Sequence, residues 1–487
     1  MAVRNNPPLL EPGRNCWRIE QAERAALIVD AANYFHYVRA AMLLAEKQIL
    51  LIGWDFDTRI VLDDAKDEAP ATLGSFVSWL ARNRPELSIH ILRWDWGAPK
   101  LLTRGSTIFR LLTWVRTKQI KFKLDGAHPP GASHHQKIVV IDDRIAFCGG
   151  IDMTATRWDT RDHLDEDKRR KRPTTGRSYQ PWHDATMAVD GDAARAMGDL
   201  ARKRWKTAGG KPIVAPKGDS DPWPEELTPQ FRDTEIAVAR TRGKYKSVSE
   251  VREIEALFLD MVGRARRFMY VENQFFASRV VAEAMVERLK EPNGPEFVIV
   301  NPKVVEGWIE EEAMTPARAV LLMEMRKADK HKRLRVYTPV TAAGCDIYVH
   351  SKISIVDDRL LRVGSANLNN RSMGLDSECD VLIDADRPAN KGASKQIGVL
   401  LADLLGEHLG VEPSKVESEL KRSGSLIETI EGLRGKGRTL MPLKVKKPNA
   451  VETALAEKEA LDPDGADKYL DPAARPGLIN RVRRMVR

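Results

Sequence analysis

Cysteine is scarce in this chain, and its distribution argues against a cysteine-ligated metal site. Only four cysteines occur among 487 residues. None lies near enough to another in sequence to give the paired ligand spacing of a structural zinc site. We therefore predict that Cys16, Cys148, Cys345 and Cys379 are reduced thiols. The two beside the motifs described below, Cys148 and Cys345, are expected to have packing roles.

Long apolar segments are missing as well. The chain has no run of about eighteen apolar residues, the length at which a membrane-spanning helix is suspected. Its first residues, Met-Ala-Val-Arg-Asn-Asn-Pro-Pro, lack the apolar core of a secretion signal. These absences predict a soluble, cytoplasmic protein that associates with a membrane only peripherally.

Acidic residues are fewer than basic ones, which gives a formal net charge of +9 and an isoelectric point near 9.2. This excess favours an anionic partner, and a phospholipid surface and a nucleic acid both fit it. The densest basic run is Lys168-Arg169-Arg170-Lys171-Arg172. Such a run is typical of a solvated loop, and docking on anionic lipid is the alternative interpretation.

One short motif is present twice. In both copies a lysine follows a histidine by two positions, an aspartate follows the lysine by five, and a glycine follows the aspartate by seven. The first copy consists of His135, Lys137, Asp142 and Gly149, and the second of His350, Lys352, Asp357 and Gly364. Two copies with matching spacing are not a chance result of composition, so the motif indicates an internal duplication that preserves a chemical function.

The residues after each lysine predict a buried strand. Runs 138–141 and 353–356 are apolar and rich in β-branched residues, and each is followed by an Asp-Asp-Arg turn. Because alternate residues of a strand point to the same face, the histidine and lysine of each copy project together. Gly149 and Gly364 end the predicted return strands, where backbone can approach a ligand closely.

A histidine and a lysine from each copy are suited to phosphodiester chemistry. An imidazole changes charge near neutral pH, so it can attack phosphorus or carry a proton. A lysine offers a compact positive charge for phosphate oxygens. With two of each around one point, the lysines stabilise the developing negative charge, and we predict a reaction that requires no metal or other cofactor.

The aspartates of the motif are less clear-cut. We place Asp142 and Asp357 in the candidate catalytic set with His135, Lys137, His350 and Lys352. Their position in a turn at a strand end also favours a structural hydrogen-bonding role.

The paired motif resembles the hallmark of the phospholipase D superfamily, and other segments extend the resemblance. The similarity covers roughly residues 15–410 and is strongest with the phosphatidylcholine-type enzymes of the minimal bacterial kind. The matching segments are His134–Lys137, Gly149–Asp152, Arg157–Thr160, Pro181–Asp184, Tyr270–Phe276, Tyr348–Lys352, Asn369–Gly374 and Asp376–Glu378.

The resemblance implies a covalent phosphohistidine route. It implies that His135 is the nucleophile and His350 the acid and base, while Lys137, Lys352 and Asn367 bind phosphate oxygens. Asp152 stands at a further phosphate-binding position, where many relatives have asparagine, and a carboxylate there would repel the substrate. Asp184 and Glu378 resemble the carboxylates that orient the catalytic imidazoles. Which of the two serves which histidine stays open.

The resemblance implies a phospholipase D that hydrolyses the distal phosphodiester of a glycerophospholipid to phosphatidic acid and also transfers the phosphatidyl group to alcohols. A cardiolipin-synthase-like phosphatidyltransferase is the second interpretation, a nucleic-acid phosphodiesterase the third, and a non-catalytic lipid-binding scaffold the fourth. Nucleic acid is the less favoured substrate because no aromatic base-stacking platform is evident. We expect a glycerophospholipid substrate, a peripheral contact with an anionic membrane surface, and a monomer.

The duplication also predicts the domain organisation. We expect an α/β fold of two similar α/β/α sandwich halves with the active site at their seam. The N-terminal half is predicted to span residues 1–206 and the C-terminal half residues 234–410. A polar segment rich in Pro and Gly, residues 207–233, is predicted to link them. Residues 411–487 are expected to form packing helices with a basic end, Arg481–Arg487, without an assigned function.

Overall fold

Two copies of one order of elements build the fold, as the duplicated motif predicts. The computed structural model describes residues 8–64, 66–95, 106–305 and 308–450, together with 452, 453, 456 and 462–465. The predicted basic end, Arg481–Arg487, lies outside the described residues.

The elements of the first half are β1 (Arg18–Val29), α1 (Ala31–Leu43), β2 (Gln48–Gly53), α2 (Leu73–Asn83), β3 (Ser88–Trp94), α3 (Ser106–Arg116), β4 (Ile120–Asp125), β5 (Ile138–Ile141), β6 (Ile145–Gly149), β7 (Trp182–His183), β8 (Ala185–Asp190) and α4 (Gly191–Thr207). Those of the second half are β9 (Phe231–Arg242), β10 (Val251–Arg252), α5 (Glu253–Arg264), β11 (Phe268–Glu272), α6 (Arg279–Lys290), β12 (Glu296–Val300), α7 (Trp308–Ala328), β13 (Leu334–Val340), β14 (Tyr348–Val349), β15 (Ile353–Val356), β16 (Leu360–Gly364), α8 (Asn370–Gly374), β17 (Glu378–Asp384) and α9 (Ala393–Leu409). The chain continues with α10 (Pro413–Ser423), α11 (Leu426–Leu433) and β18 (Thr439–Pro442).

The two halves share one continuous sheet. Its strand order is β18-β13-β12-β11-β15-β16-β17-β9-β1-β8-β6-β5-β2-β3-β4. Strands β1 and β9 pair antiparallel at the centre, with Ala22 opposite Thr234, and the order outward from them is the same on both sides. Each half would otherwise leave the edge of its first strand unpaired, and the joint removes both edges. The predicted α/β fold with two similar halves is confirmed, and the halves meet edge to edge in one sheet.

Helices cover both faces of this sheet. On one face α4 and α9 pack into a single apolar core with residues of both halves, including Met197 and Leu401. On the other face each half has its own core. Phe35 and Phe76 lie in the first of these, and Phe258 and Met285 lie in the second. The shared core therefore stabilises the arrangement of the two halves at the seam.

The turn after each motif strand has the same backbone conformation in both halves. Asp142 and Asp143 have φ values of 52° and 53°, and Asp357 and Asp358 have φ values of 53° and 55°. Positive φ at both central residues matches the right-handed twist of a hairpin, and Asp tolerates it better than most residues. The predicted hairpins β5–β6 and β15–β16 are present.

The predicted linker contains no regular helix or strand between Ala208 and Gln230. It packs on the first half, where Trp223 is buried and Asp221 forms an ion pair with Arg24. Beyond the second half, β18 pairs antiparallel with β13 and extends the sheet. The described part of the tail thus adds an edge strand to the predicted helices.

Membrane insertion through a helix finds no support in the described ranges. None of their helices is both long enough and apolar enough to cross a bilayer.

Candidate active site

Both His-x-Lys segments lie directly before a central strand, at the seam between the halves. The extended backbone at His135 pairs with the second half, where its N–H donates to the Ser377 carbonyl at 2.9 Å. The backbone at His350 pairs in the same way with the first half, donating to the His183 carbonyl at 2.8 Å. Strands β7 and β14 continue this second contact as a short parallel ribbon. Each motif is therefore held in place by the opposite half.

Each catalytic-candidate imidazole receives a carboxylate from the opposite half. Nδ1 of His135 lies 2.9 Å from Oε1 of Glu378, and Nδ1 of His350 lies 2.6 Å from Oδ2 of Asp184. Ser365 and Ser372 donate to the Glu378 carboxylate at 2.5 and 2.7 Å. The sequence left the assignment of the two carboxylates open, and the geometry pairs Glu378 with His135 and Asp184 with His350.

Gly150 is required by the close approach at this seam. A Cβ atom at Gly150 would lie 2.1 Å from Oδ1 of Asp184 and 3.1 Å from the His350 carbonyl oxygen. Any side chain would displace the carboxylate from its imidazole, which gives a physical reason for the glycine pair after the first motif.

The two motif lysines curl back toward the backbone of their own histidines. Nζ of Lys137 donates to the His135 carbonyl at 3.0 Å, and Nζ of Lys352 donates to the His350 carbonyl. Lys352 also lies 3.2 Å from Nδ1 of His350. Both ammonium groups are buried, so their charges act on the imidazoles in a medium that screens them weakly.

Burial and the lysines together set the protonation of the imidazoles. Burial lowers the pKa of His135 well below its ordinary value, and the charges of Lys137 and Lys352 lower it further. Burial, Lys352 and Arg157 have the same effect on the pKa of His350. Both imidazoles are therefore neutral at neutral pH. A proton on Nδ1, donated to the carboxylate, leaves the lone pair on Nε2.

The supporting charged groups have shifted pKa values as well. Burial raises the pKa of Glu378 to about 7, against the opposing charge of Lys137. Burial raises the pKa of Asp184 to about 6, against the opposing charge of Lys352. Burial also lowers the pKa of Lys352 to about 7. Such a set of groups poised near neutrality is typical of an acid–base site.

The two predicted phosphate-binding residues other than the lysines, Asn367 and Asp152, have different surroundings. Asn367 is buried, and its side-chain oxygen has no hydrogen-bond partner among the described residues, so its phosphate-binding role stays a prediction. Asp152 lies 3.3 Å from Nζ of Lys137 and accepts the Trp54 N–H at 3.1 Å. The carboxylate of Asp152 therefore holds the ammonium group of Lys137. A carboxylate at this position would repel a phosphate, so the predicted phosphate contact of Asp152 is not supported.

The motif aspartates lie at the far ends of their strands, away from the imidazoles. Asp142 accepts the backbone N–H groups of residues 46, 47 and 48 at 2.7–2.8 Å. Asp357 accepts those of residues 266, 267 and 268 at 2.6–2.8 Å. These donors precede β2 and β11, so each aspartate fixes the start of the neighbouring strand. The catalytic assignment of Asp142 and Asp357 is therefore replaced by a structural role.

An aromatic stack beside His350 is a feature that the sequence did not single out. The rings of Trp182 and Tyr348 stack with centroids 4.4 Å apart, and Trp182 lies 5.3 Å from the His350 ring. The guanidinium carbon of Arg157 lies over the Trp182 ring, 4.4 Å from its centroid. The stack depends on the pairing of β7 with β14, which places Tyr348 beside Trp182, and the sequence does not show that pairing.

The predicted basic loop is only partly a solvated run. Lys168, Lys171 and Arg172 are exposed. Arg170 is buried, because its guanidinium pairs with the buried carboxylate of Asp159 at 3.1 Å. Arg169 lies over the Trp158 ring. Three of the five cations are thus free to face a surface from the segment that leads to Trp182.

A second set of buried ionisable groups lies behind His350 and could hold a metal ion. Ligand atoms of Asp30, His163, His183 and Glu407 lie within 4.8 Å of one another. A neighbouring set joins His183 to Glu272 and His408. The four residues of the first set are far apart in sequence, so no ligand spacing revealed them.

Comparison with known proteins identifies relatives of this architecture. A family model described as phospholipase D matches residues 41–223 and 312–425. The chain is 27% identical over 389 residues to phospholipase D1 of Schizosaccharomyces pombe, covering 58% of this chain and 28% of that protein. It is 21% identical over 518 residues to phospholipase D alpha 4 of Arabidopsis thaliana, covering 84% and 68%.

The chain spans only about a quarter of the length of the fission-yeast relative. It spans 36% of phospholipase D A of Dictyostelium discoideum, with 26% identity and 80% of this chain covered. Among solved structures, phosphatidylserine synthase of Haemophilus influenzae aligns with a TM-score of 0.54 and 14% identity, over 85% of this chain and 95% of that one. That likeness shows a shared fold.

Proposed function

This chain belongs to the phospholipase D family, and we propose that it is a phosphodiesterase that hydrolyses the distal phosphodiester of glycerophospholipids. The products are phosphatidic acid and the head-group alcohol, and an alcohol that replaces water yields a new phospholipid. The observation that carries the proposal is the pair of motif imidazoles, each oriented by a carboxylate from the opposite half.

His135 is the nucleophile in this proposal. Its side chain is 15% exposed, against 6% for His350, so it is the more accessible of the two imidazoles. Nε2 attacks phosphorus while the bond to the head-group oxygen breaks, which forms a phosphohistidine. Glu378 accepts the hydrogen bond from the Nδ1–H group and stabilises the positive charge that develops on the ring.

His350 supplies the proton that the leaving alcohol requires. Burial lowers the pKa of His350, and the charges of Lys352 and Arg157 lower it further. A bound phosphodiester brings negative charge against those cations and favours the imidazolium, which then donates from Nε2. Once the alcohol has left, the neutral His350 removes a proton from water, which attacks phosphorus and releases His135.

Lys137 and Lys352 stabilise the phosphate oxygens as charge builds up on them. Both ammonium groups are already held beside the imidazoles by their hydrogen bonds to backbone carbonyls. Little reorganisation is therefore needed when the substrate enters. Asp152 keeps the charge of Lys137 aimed at this region.

Product analysis on mixed phospholipid vesicles tests the proposal, with and without ethanol and with His135→Ala as the control. Phosphatidic acid that is replaced by phosphatidylethanol when ethanol is present supports a phosphohistidine phospholipase D. Transfer to a lipid alcohol without hydrolysis favours the phosphatidyltransferase. Cleavage of single-stranded DNA with no lipid product overturns the proposal.

A further inference from the structure

The four-residue cluster behind His350 has no task in the proposed reaction, and its geometry is that of a metal site. Asp30, His163 and His183 come from the first half and Glu407 from α9 of the second, and all four are buried. Glu407 Oε1 lies 2.8 Å from His183 Nδ1 and 3.1 Å from His163 Nε2. Asp30 lies 3.3 Å from the first nitrogen and 3.5 Å from the second.

These separations fit the edges of a tetrahedron. Nitrogen and oxygen ligands at 2.0–2.1 Å from a zinc ion lie roughly 3.3 Å from each other in tetrahedral geometry. A hydrogen bond between an imidazolium and a carboxylate is shorter, about 2.7–2.9 Å. Of the four contacts, only that between His183 and Glu407 is so short. The other three are too long for charge-assisted hydrogen bonds and suitable for ligands that share an ion.

The outward-facing nitrogens of both histidines have the partners expected around a metal. Nδ1 of His163 lies 3.0 Å from Asp159, and Nε2 of His183 lies 2.8 Å from Glu272. A metal-ligating histidine nearly always donates its other N–H to a carboxylate or carbonyl, which fixes the ring and its tautomer. A neutral imidazole held in this way presents an unprotonated nitrogen to the centre of the cluster.

An unpartnered oxygen points to the same centre. Oδ1 of Asp30 accepts the Asp184 N–H at 3.1 Å, while Oδ2, also buried, accepts no hydrogen bond within the described ranges. This oxygen is the one that lies 3.5 Å from Nε2 of His163. A buried carboxylate oxygen without a donor is costly unless a cation binds it.

The local charge requires two further positive charges. Four buried carboxylates surround the two imidazoles, and Arg161 and Arg170 are the arginines paired with them. The carboxylates are those of Asp30, Asp159, Glu272 and Glu407. If both histidines are neutral, one divalent cation balances the two remaining negative charges. If no cation is bound, one additional proton on each ring balances them. The spacing and the unpartnered oxygen favour the cation.

We propose that Asp30, His163, His183 and Glu407 bind one zinc ion that ties the two halves together behind the active site. Two imidazoles and two carboxylates in a closed, buried, four-ligand arrangement suit Zn²⁺ in a structural role. The ion also fixes the backbone that aligns the acid and base, because the His350 N–H donates to the His183 carbonyl and the Asp184 N–H donates to Asp30.

Elemental analysis of the full chain, purified after growth with added zinc, tests the site. We expect about one zinc per chain, and X-ray absorption at the zinc edge should show two imidazole nitrogens and two oxygens at about 2.0–2.1 Å. Asp30→Asn and Glu407→Gln should each lose most of the metal. His36→Gln is the matched control, since it removes a partly exposed histidine that contacts two carboxylates, Asp63 and Glu226, and it should keep the zinc.

Asp159→Asn keeps the test decisive if the ligand variants do not fold, because it leaves all four ligands in place and removes the charge from the partner that His163 shares with Arg170. It should weaken zinc binding about 10- to 100-fold. A cooperatively folding, unmodified chain that takes up no zinc, cobalt or other divalent ion overturns the proposal and assigns two protons to the cluster. Metal that is lost equally from His36→Gln overturns it as well. Neither measurement uses lipid turnover as its readout, so the failure of this proposal is distinguishable from the failure of the proposed function.

Discussion

Nδ1 of His135 and Oε1 of Glu378 lie 2.9 Å apart, although 243 residues separate them in the chain. The relationship is matched by His350 and Asp184, which are 166 residues apart and in the opposite halves. Each half thus supplies the carboxylate that orients the motif imidazole of the other half. Neither motif histidine takes its orienting carboxylate from its own half, which makes the seam essential to the proposed chemistry.

The two histidines should respond differently when each is replaced by alanine. His135→Ala should abolish turnover and any trapped phosphoenzyme. In His350→Ala the first step, measured as alcohol release in a single turnover, should slow by about 10²–10⁴ with a natural head group, and much less with nitrophenol, which leaves without a proton. Rate measurements with good and poor leaving groups check this, and equal losses for both would contradict an acid role for His350.

Glu378→Gln should stabilise the protein while it destroys activity. Burial raises the pKa of Glu378 to about 7, so folding favours the protonated form. The protonated Glu378 side chain makes its full contribution to the free energy of unfolding below the ordinary carboxyl pKa, and this contribution is lost as pH rises through about 7. A neutral glutamine avoids that loss, and we expect it to be more stable than the parent above pH 7, by up to about 3 kcal/mol. Denaturant unfolding at pH 5 and pH 8 checks this; a gain that does not grow with pH would refute it.

The rate should fall as Lys352 loses its proton. Burial lowers the pKa of Lys352 to about 7, so its charge is present below that pH and lost above it. We expect kcat/KM to decline on the basic side from near pH 7, since this parameter reports the free enzyme. Lys352→Arg should be slower but should lack this limb, because arginine stays charged. A limb that persists in the arginine variant would assign it to another group.

Asp142→Asn and Asp357→Asn should affect stability and spare chemistry. Each aspartate accepts three backbone N–H groups before a central strand, and asparagine keeps only one acceptor oxygen. We expect a loss of about 1–3 kcal/mol in the free energy of unfolding, similar for both. The kcat of the folded protein should change less than about threefold. A hundredfold fall in kcat with unchanged stability would restore the catalytic assignment.

Docking on an anionic surface should depend on three exposed cations near the site. Changing Lys168, Lys171 and Arg172 to glutamine should weaken binding to phosphatidylserine vesicles at low salt, by about 1 kcal/mol per charge. The matched control changes Lys444, Lys446 and Lys447, three exposed lysines after the edge strand β18, and removes the same charge. Vesicle sedimentation measures the binding of both variants. An equal loss of binding in both would indicate general electrostatic attraction to the vesicle and would contradict docking through residues 168–172.

Features encoded locally were predictable from the chain. Alternation and turn residues around Ile138–Ile141 and Ile353–Val356 predicted the hairpins, and the repeated spacing predicted two similar halves. The family resemblance carried by the motifs is confirmed, and so is the α/β fold. The lysines beside the histidines followed from strand geometry, because residues two apart share a face.

The amino-acid order by itself therefore determined the duplication, the motif strands and the pairing of one histidine with one lysine in each motif, since all of these depend on spacings of a few residues. Only the tertiary structure decided that the carboxylates cross between halves, that Asp142 and Asp357 hold backbone, and that Asp30, His163, His183 and Glu407 converge. The crossed carboxylates and the approach of Glu407 to the other three residues arise because the pairing of β1 with β9 and the shared helical core bring together residues more than a hundred positions apart. The contacts of Asp142 and Asp357 arise from strand pairing within each half, over about 90 positions, and no local pattern in the sequence contains either kind of contact.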